Sequence, residues 1–108
     1  SNDEVFTVSG SVFGNDFIRI IEIMDFEVDL KPFGTMLFIK NKDIPGVVGK
    51  IGTILGKENI NILGYLLSKV KDKDFAYSII RINNEISMKI ISRISDFDEI
   101  IEIKQLKL

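Results

Sequence analysis

Apolar residues along the chain recur in two different periods, and the change of period predicts the order of helices and strands from residue 35 onward. Apolar or alternating runs at 36–40, 60–67, 75–82 and 100–108 predict four strands. A helix-period stripe opens near Pro45 and ends near Asn59, and a second follows Asn83. The two stripes consist of Val47, Val48, Ile51, Ile54 and Leu55, and of Ile86, Ile90, Ile91, Ile94 and Phe97.

This order, strand–helix–strand–strand–helix–strand, predicts an α+β fold of the ferredoxin-like βαββαβ kind. One antiparallel sheet would carry both helices on one face. Its other face would need either a cover or a tolerance for water.

The first 32 residues predict a short β segment, with strands at 4–14, 18–23 and 26–30. A hairpin and one strand are marginally stable alone, so this segment is expected to complete a larger unit. Lys31-Pro32-Phe33-Gly34 contains both turn formers and is the predicted linker. We therefore divide the chain into a fragment at 1–32 and a domain at 33–108.

Composition removes several classes of chemistry. The chain has no cysteine and no histidine, which excludes disulfides, thiolate nucleophiles and histidine bases, and we expect no metal site and no catalytic residue. A formal net charge of -2 gives no electrostatic footprint for nucleic acid. No run approaches the roughly 18 apolar residues of a membrane span, so a cytoplasmic protein without a membrane partner is expected.

The loop between the first strand and the first helix carries the most specific chemistry. Pro45 is tolerated in the first turn of a helix, which places Asp43 at or beside the N-cap and lets Gly46 approach another group closely. Unpaired N–H groups at the helix start attract a carboxylate, and Asp43 can bind an ammonium group. The loop therefore suits a zwitterion, although Asp43 as a simple cap of its own helix is an equally physical interpretation.

Three glycines, Gly49, Gly52 and Gly56, fall inside the first predicted helix. Each costs about 1 kcal/mol relative to alanine, which suggests that something packs closely against them. Packing against the sheet of the same chain and contact with a ligand or a second subunit both remain open.

The segment NKDIPGVVGKIGTILGKENINI at 41–62 resembles the ACT domain, a small amino-acid-sensing module. Together with VSGSVFG at 8–14, the junction RIIEIMDFEVDLKPFGTMLF at 19–38 and the terminal KQLKL, it resembles the C-terminal end of the D-3-phosphoglycerate dehydrogenase family. By this resemblance, residues 1–32 are the C-terminal fragment of an intervening, allosteric substrate-binding-like domain.

The resemblance implies feedback sensing of L-serine, or of another small amino acid, at an interface between two ACT domains. It places Asp43 and Asn61 on the amino acid, with Asn41 facing the same loop. For Asn61, a turn residue at the start of the strand is the alternative. The candidate ligand-binding residues are Asn41, Asp43, Ile44, Pro45, Gly46, Val47 and Asn61.

The same resemblance implies a homodimer through the ACT domains and a higher homo-oligomer in the full-length enzyme. It also implies that NAD binds a catalytic domain outside these 108 residues, which themselves contain no GxGxxG motif and are expected to have no cofactor and no dehydrogenase activity.

Three alternatives remain. A regulatory subunit of an iron–sulfur L-serine dehydratase has a similar domain order, and a purely structural dimerisation domain would have the same fold. The third is an RNA-recognition motif, which shares the βαββαβ order and places aromatic residues on the first and third strands, here Phe38, Phe75 and Tyr77.

Overall fold

The computed structural model describes residues 34–107, which form four strands and two helices in the predicted order. The elements are β1 (Thr35–Lys42), α1 (Val47–Lys57), β2 (Ile62–Lys69), β3 (Phe75–Ile82), α2 (Met88–Ser95) and β4 (Ile100–Lys107). The ferredoxin-like α+β prediction is therefore confirmed. The β segment predicted before residue 33 and the domain boundary between 32 and 33 lie outside the described residues.

The four strands form one antiparallel sheet in the order β2-β3-β1-β4. Within residues 34–107, β1 and β3 are central, and β2 and β4 are the edges. The register along β1 and β3 is regular, from Thr35 opposite Ile82 to Lys42 opposite Phe75. This register places the end of β1, the start of β3 and the end of β2 at one end of the sheet, beside the loop into α1.

Both helices pack on the same face of the sheet and close one apolar core. Leu37 and Ile39 of β1 alternate with residues that point to the other face, as the pleat of a strand requires. The buried core residues are Leu37, Ile39, Val47, Ile51, Ile54, Leu55, Ile80, Ile82, Ile86, Ile90, Ile94 and Ile100. All seven buried helix-period positions were predicted as core positions from the sequence. Six of them lie in the helices, and Ile86 precedes α2.

The two central strands are buried on both faces, because Met36, Phe38, Tyr77 and Ile79 on the face opposite the helices are also buried. Phe38 has no exposed surface and Tyr77 keeps only 4%. An RNA-recognition motif stacks bases on exposed aromatic rings of these strands. Phe38 and Tyr77 do not form such a platform.

The first helix begins two residues later than the sequence predicted. Pro45 precedes it, and Gly46 is the N-cap with φ 92° and ψ -10°. These angles are those of the third residue of a type II turn, in which proline is favoured at the second position and glycine at the third. Pro45 and Gly46 therefore build a turn into α1, and Asp43 is not its cap.

The second helix also begins later, at Met88, with Ser87 as the N-cap. The Ile90 N–H donates to Ser87 Oγ at 3.3 Å. Asn83, predicted to open this helix, instead accepts a hydrogen bond from the Asn61 N–H at 3.0 Å. The segment between them reaches across to β4, because Gln105 bonds both the N–H and the C=O of Ile86, at 2.7 and 3.0 Å.

The glycines of α1 do not serve close packing among the described residues. A Cβ added at Gly49, Gly52 or Gly56 would meet no heavy atom within 4 Å. Packing against the sheet of the same chain, one of the two interpretations of these glycines, is thus not found within 34–107.

Candidate functional site

A cleft of about 370 Å³ lies between the β1–α1 loop and the end of β2. It contains six of the seven candidate ligand-binding residues predicted from the sequence, all except Asn61. The lining residues are Asn41, Asp43, Ile44, Pro45, Gly46, Val47, Val48, Tyr65, Leu67 and Lys69.

Backbone hydrogen bonds hold the loop side of the cleft in place. The Asp43 N–H donates to the Asp74 carbonyl at 2.9 Å, which ties the loop to the turn before β3. The Lys42 N–H donates to the Glu99 carbonyl at 2.8 Å on the other side, beside β4. The backbone at Lys42 and Asp43 is thus held by two neighbouring segments.

Lys50 of α1 pairs with the carboxylate of Glu99 and lies 5.3 Å from the centre of the Phe97 ring. The hydrogen bond from Lys50 lowers the pKa of Glu99 from its ordinary value of 4.5. This pair connects the first turn of α1 to the segment that already holds Lys42.

The cleft offers complementary charge to both ends of a zwitterion. The Asp43 carboxylate has one ionic neighbour among the described residues, Lys69 at 3.8 Å, and both side chains are partly exposed. Such a pair contributes little stability, so Asp43 can exchange it for a ligand ammonium group. No side chain of residues 34–107 caps α1, and its first turn has no acidic residue, which leaves the helix start open to a carboxylate.

Behind the cleft, a chain of side-chain hydrogen bonds crosses three strands. Ser78 of β3 bonds the Asn41 amide of β1 at 2.7 Å, and the Tyr65 hydroxyl of β2 lies 3.1 Å from Ser78 Oγ. Asn41 Nδ2 donates to the Lys42 carbonyl at 2.9 Å. Asn41 is 3% exposed and Ser78 is fully buried, so these polar groups replace apolar ones where the sheet meets the cleft.

Asn61 lies at the far end of β2. Eight residues separate it from Lys69, which at about 3.3 Å per residue is roughly 26 Å. Its N–H donates to Asn83 Oδ1 at 3.0 Å, and its carbonyl accepts from the Asn83 N–H at 3.2 Å. Its backbone thus has the strand-start role that was the alternative, and one copy of the chain does not bring Asn61 and Asp43 together.

The outer edge of β2 is apolar and exposed. β2 pairs only with β3 among the described residues, so one row of its backbone groups has no strand partner. Four large apolar side chains on β2 and the adjoining turn of α1, which we call the edge strip, are between 39% and 53% exposed: Val48, Ile62, Leu63 and Leu67. Such a combination of free strand edge and apolar side chains is typical of a surface that pairs with another strand.

The sequence did not indicate Val48, Tyr65, Leu67, Lys69 or Ser78 as site residues. It placed Val48 in the apolar stripe of the first helix, but this side chain is 45% exposed. The period-two alternation of Tyr65 and Leu67 indicated that these two side chains share one face of β2, whereas Lys69 lies beyond the strand predicted at 60–67. What it did not indicate is that this face meets the β1–α1 loop, which depends on the register between β2, β3 and β1.

Within residues 34–107 no group of three or more Asp or Glu residues is arranged to hold a metal ion. The helices of this part of the chain are too short and too polar to span a membrane.

No family model matches the chain. The D-3-phosphoglycerate dehydrogenase of Archaeoglobus fulgidus is 28% identical over the whole chain, and that of Mycobacterium bovis is 33% identical over 80% of it. The enzyme of the same name from Synechocystis is 39% identical over 52% of the chain. The chain spans about a fifth of the length of such relatives, 21% for A. fulgidus and 16% for M. bovis.

Solved structures match the fold. The crystal structure of the ACT domain from GTP pyrophosphokinase of Chlorobium tepidum superposes with a TM-score of 0.53 and 17% identity, over 68% of this chain and 97% of that domain. A solution structure of the same domain gives a TM-score of 0.51. The chain thus has the fold of an ACT domain and is similar in sequence to one region of the D-3-phosphoglycerate dehydrogenases.

Proposed function

We propose that this chain is the regulatory amino-acid-binding region of a D-3-phosphoglycerate dehydrogenase and that it binds L-serine at an interface between two copies. The observation that carries the proposal is the cleft beside Asp43. It combines a weakly paired carboxylate with an uncapped helix start, in a fold shared with ACT domains.

Charge complementarity supports an α-amino acid as the ligand. Asp43 would bind the ammonium group, and the N–H groups that follow Gly46 would bind the carboxylate. Lys69 adds a second positive group at the mouth of the cleft.

The position of Asn61 supports a dimeric site. An antiparallel pair of β2 strands centred on Tyr65 would bring the partner's Asn61 opposite Lys69, which is 3.8 Å from Asp43. Pairing of this kind would also cover the edge strip and join two sheets into one. Each dimer would then have two ligand sites, both completed by the neighbouring copy.

Regulation follows from differential binding. Serine would shift the enzyme only by as much as its affinity differs between the active and inactive states, typically about 1–3 kcal/mol of coupling. Oxidoreductase activity belongs to this proposal for the whole protein and rests on the relatives' name and the length they have beyond this region. An NAD cofactor and a cytoplasmic location are proposed with it.

The test is calorimetric titration of the 108-residue chain with a panel of free amino acids, with thermal unfolding and sedimentation run in parallel. Serine at about 100 times its dissociation constant should stabilise the fold by about 2.7 kcal/mol and raise Tm by several degrees. Asp43→Ala should abolish both signals. Asp98→Ala, which removes an exposed carboxylate away from the cleft, should leave them unchanged.

The other outcomes separate the alternatives. Binding of a different amino acid at the same residues would retain the amino-acid sensor and replace serine as its ligand. A stable dimer that binds no amino acid would contradict the sensing function and leave a structural dimerisation domain. Co-purification with an iron–sulfur subunit would replace the dehydrogenase with an L-serine dehydratase.

A further inference from the structure

The buried chain Tyr65–Ser78–Asn41 has a fixed hydrogen-bond direction that can be worked out from its ends. The Lys42 carbonyl can only accept, so the Asn41 atom facing it at 2.9 Å is Nδ2. Asn41 Oδ1 therefore faces Ser78, and because an amide oxygen only accepts, the Ser78 hydroxyl donates to it at 2.7 Å.

The remaining bond is then determined as well. Ser78 has a single proton, which is used on Asn41, so in the 3.1 Å contact the Tyr65 hydroxyl is the donor. The direction of donation runs from Tyr65 to Ser78, then to Asn41 and finally to the Lys42 carbonyl. The capacities without a partner in the described residues include a second N–H of Asn41, as donor, and the lone pairs of the Tyr65 oxygen, as acceptor.

Both of these residues line the cleft. A hydroxyl group can accept from an N–H and donate to an oxygen at the same time, whereas a methyl group can do neither. A ligand without a hydroxyl would leave the largely buried Asn41 amide short of one bond, and unpaired buried polar groups penalise binding.

We propose that Tyr65 and Ser78 set the selectivity of the cleft for an amino acid with a side-chain hydroxyl, by fixing the Asn41 amide and presenting one donor and one acceptor. This rests on the proposed amino-acid site and adds to it the residues that select the side chain. Ser78 acts through Asn41 and is a positioning residue, while Tyr65 and Asn41 contact the hydroxyl.

The test is the ratio of L-serine to L-alanine affinity, measured by calorimetry on the full 108-residue chain. The parent chain should bind serine at least about tenfold more tightly than alanine. Tyr65→Phe and Ser78→Ala should reduce this ratio toward one, mainly by weakening serine binding, while alanine affinity changes less than about twofold. A purely structural role would weaken both ligands equally and leave the ratio unchanged.

Tyr77→Phe is the matched control, because it removes a hydroxyl from a neighbouring residue on the opposite face of the same sheet. It should retain the parent ratio, and thermal unfolding without ligand should show that all three variants fold. Equal affinity of the parent for both amino acids, or an unchanged ratio in Tyr65→Phe and Ser78→Ala, would overturn this inference while the amino-acid site stands. A parent chain that binds neither would overturn both.

Discussion

Gly46 and Gly49 lie three residues apart at the start of α1, but only Gly46 has a backbone conformation that requires glycine. Gly46 has φ 92°, in the left-handed region that side chains other than glycine rarely adopt. Gly49 is helical, and a Cβ there would meet nothing within 4 Å. The same substitution should therefore have opposite effects on stability at the two positions.

We expect Gly46→Ala to lower the free energy of unfolding by about 1–2 kcal/mol, because alanine is strained at positive φ. Gly49→Ala should raise it by about 0.5–1 kcal/mol, because alanine restricts the unfolded chain and favours the helix. Urea denaturation of both variants beside the parent measures these changes. Stabilisation by Gly46→Ala would contradict the positive φ of Gly46 and the type II turn that precedes α1.

Glu99 supplies a prediction on pH. Lys50 holds the pKa of this carboxyl below its ordinary value of 4.5 in the folded chain. A lowered folded pKa stabilises the protein above pH 4.5, and this contribution is lost as the pH falls through the folded pKa. Glu99→Gln removes the titrating group, so its stability should decline less steeply below pH 4.5 than that of the parent.

Denaturation at several pH values between about 3 and 7 compares the two slopes. If the free energy of unfolding fell equally steeply below pH 4.5 in Glu99→Gln and in the parent, the pairing of Glu99 with Lys50 would be contradicted.

At the scale of elements, the sequence predicted what depends on neighbours along the chain. Val47, Ile51, Ile54 and Leu55 repeat with the helical period, and the buried stripe of α1 follows from that repeat. The helix starts were placed too early because Pro45 is compatible both with a first helical turn and with the type II turn that is observed. Asn83 resembles a cap in sequence, but its side chain bonds Asn61 across the sheet.

The residues of the candidate site also differ in whether their proximity depends on neighbours along the chain or on strand register. Asp43 and Gly46 were found because the loop between strand and helix is local in sequence. Tyr65 and Ser78 were missed because their meeting with Asn41 depends on the register of three strands that are far apart along the chain. Hydrophobic periodicity identifies the face of a strand but leaves the register to turns and packing.

The two edge strands permit a direct test of which one pairs with a second copy. Leu63 on β2 is 53% exposed and Ile101 on β4 is 49% exposed, so substitution by lysine costs either site little within one chain. Leu63→Lys would place two charges in a β2–β2 interface and should shift the chain to monomers in sedimentation. Ile101→Lys should leave the association constant unchanged.

The opposite pattern, with monomers from Ile101→Lys alone, would place the interface on β4. It would also separate Asn61 from the cleft of the neighbouring copy, and the proposed shared site would then be lost.

For the whole molecule, the central expectation is that each ligand site uses Asp43 from one copy and Asn61 from the other. The roughly 26 Å between the two ends of β2 is far longer than a single amino acid. A two-fold axis between two paired β2 strands removes this separation, because antiparallel pairing places the start of one strand beside the end of the other. Binding and association would then be linked, and serine should strengthen the dimer.

Mixed dimers test this arrangement. Asp43→Ala and Asn61→Ala chains should each fail to bind serine, since both sites of either homodimer lack one group. After the two are unfolded and refolded together, about half of the dimers contain one chain of each kind, and one of their two sites has both groups intact. Roughly a quarter of the parent's serine sites should therefore return, measured by calorimetric stoichiometry.

The matched control mixes the parent with the double variant Asp43→Ala/Asn61→Ala. In a site shared between copies, every mixed dimer has two defective sites, so only parent homodimers bind and the stoichiometry is again about a quarter. If both groups came from one chain, the single variants would restore nothing and the control would retain about half of the sites. For a shared site, the two mixtures therefore bind the same amount of serine. For a site within one chain, the mixture of single variants binds none and the control binds about half of the parent's amount, because Asp43 and Asn61 would then have to come from the same copy.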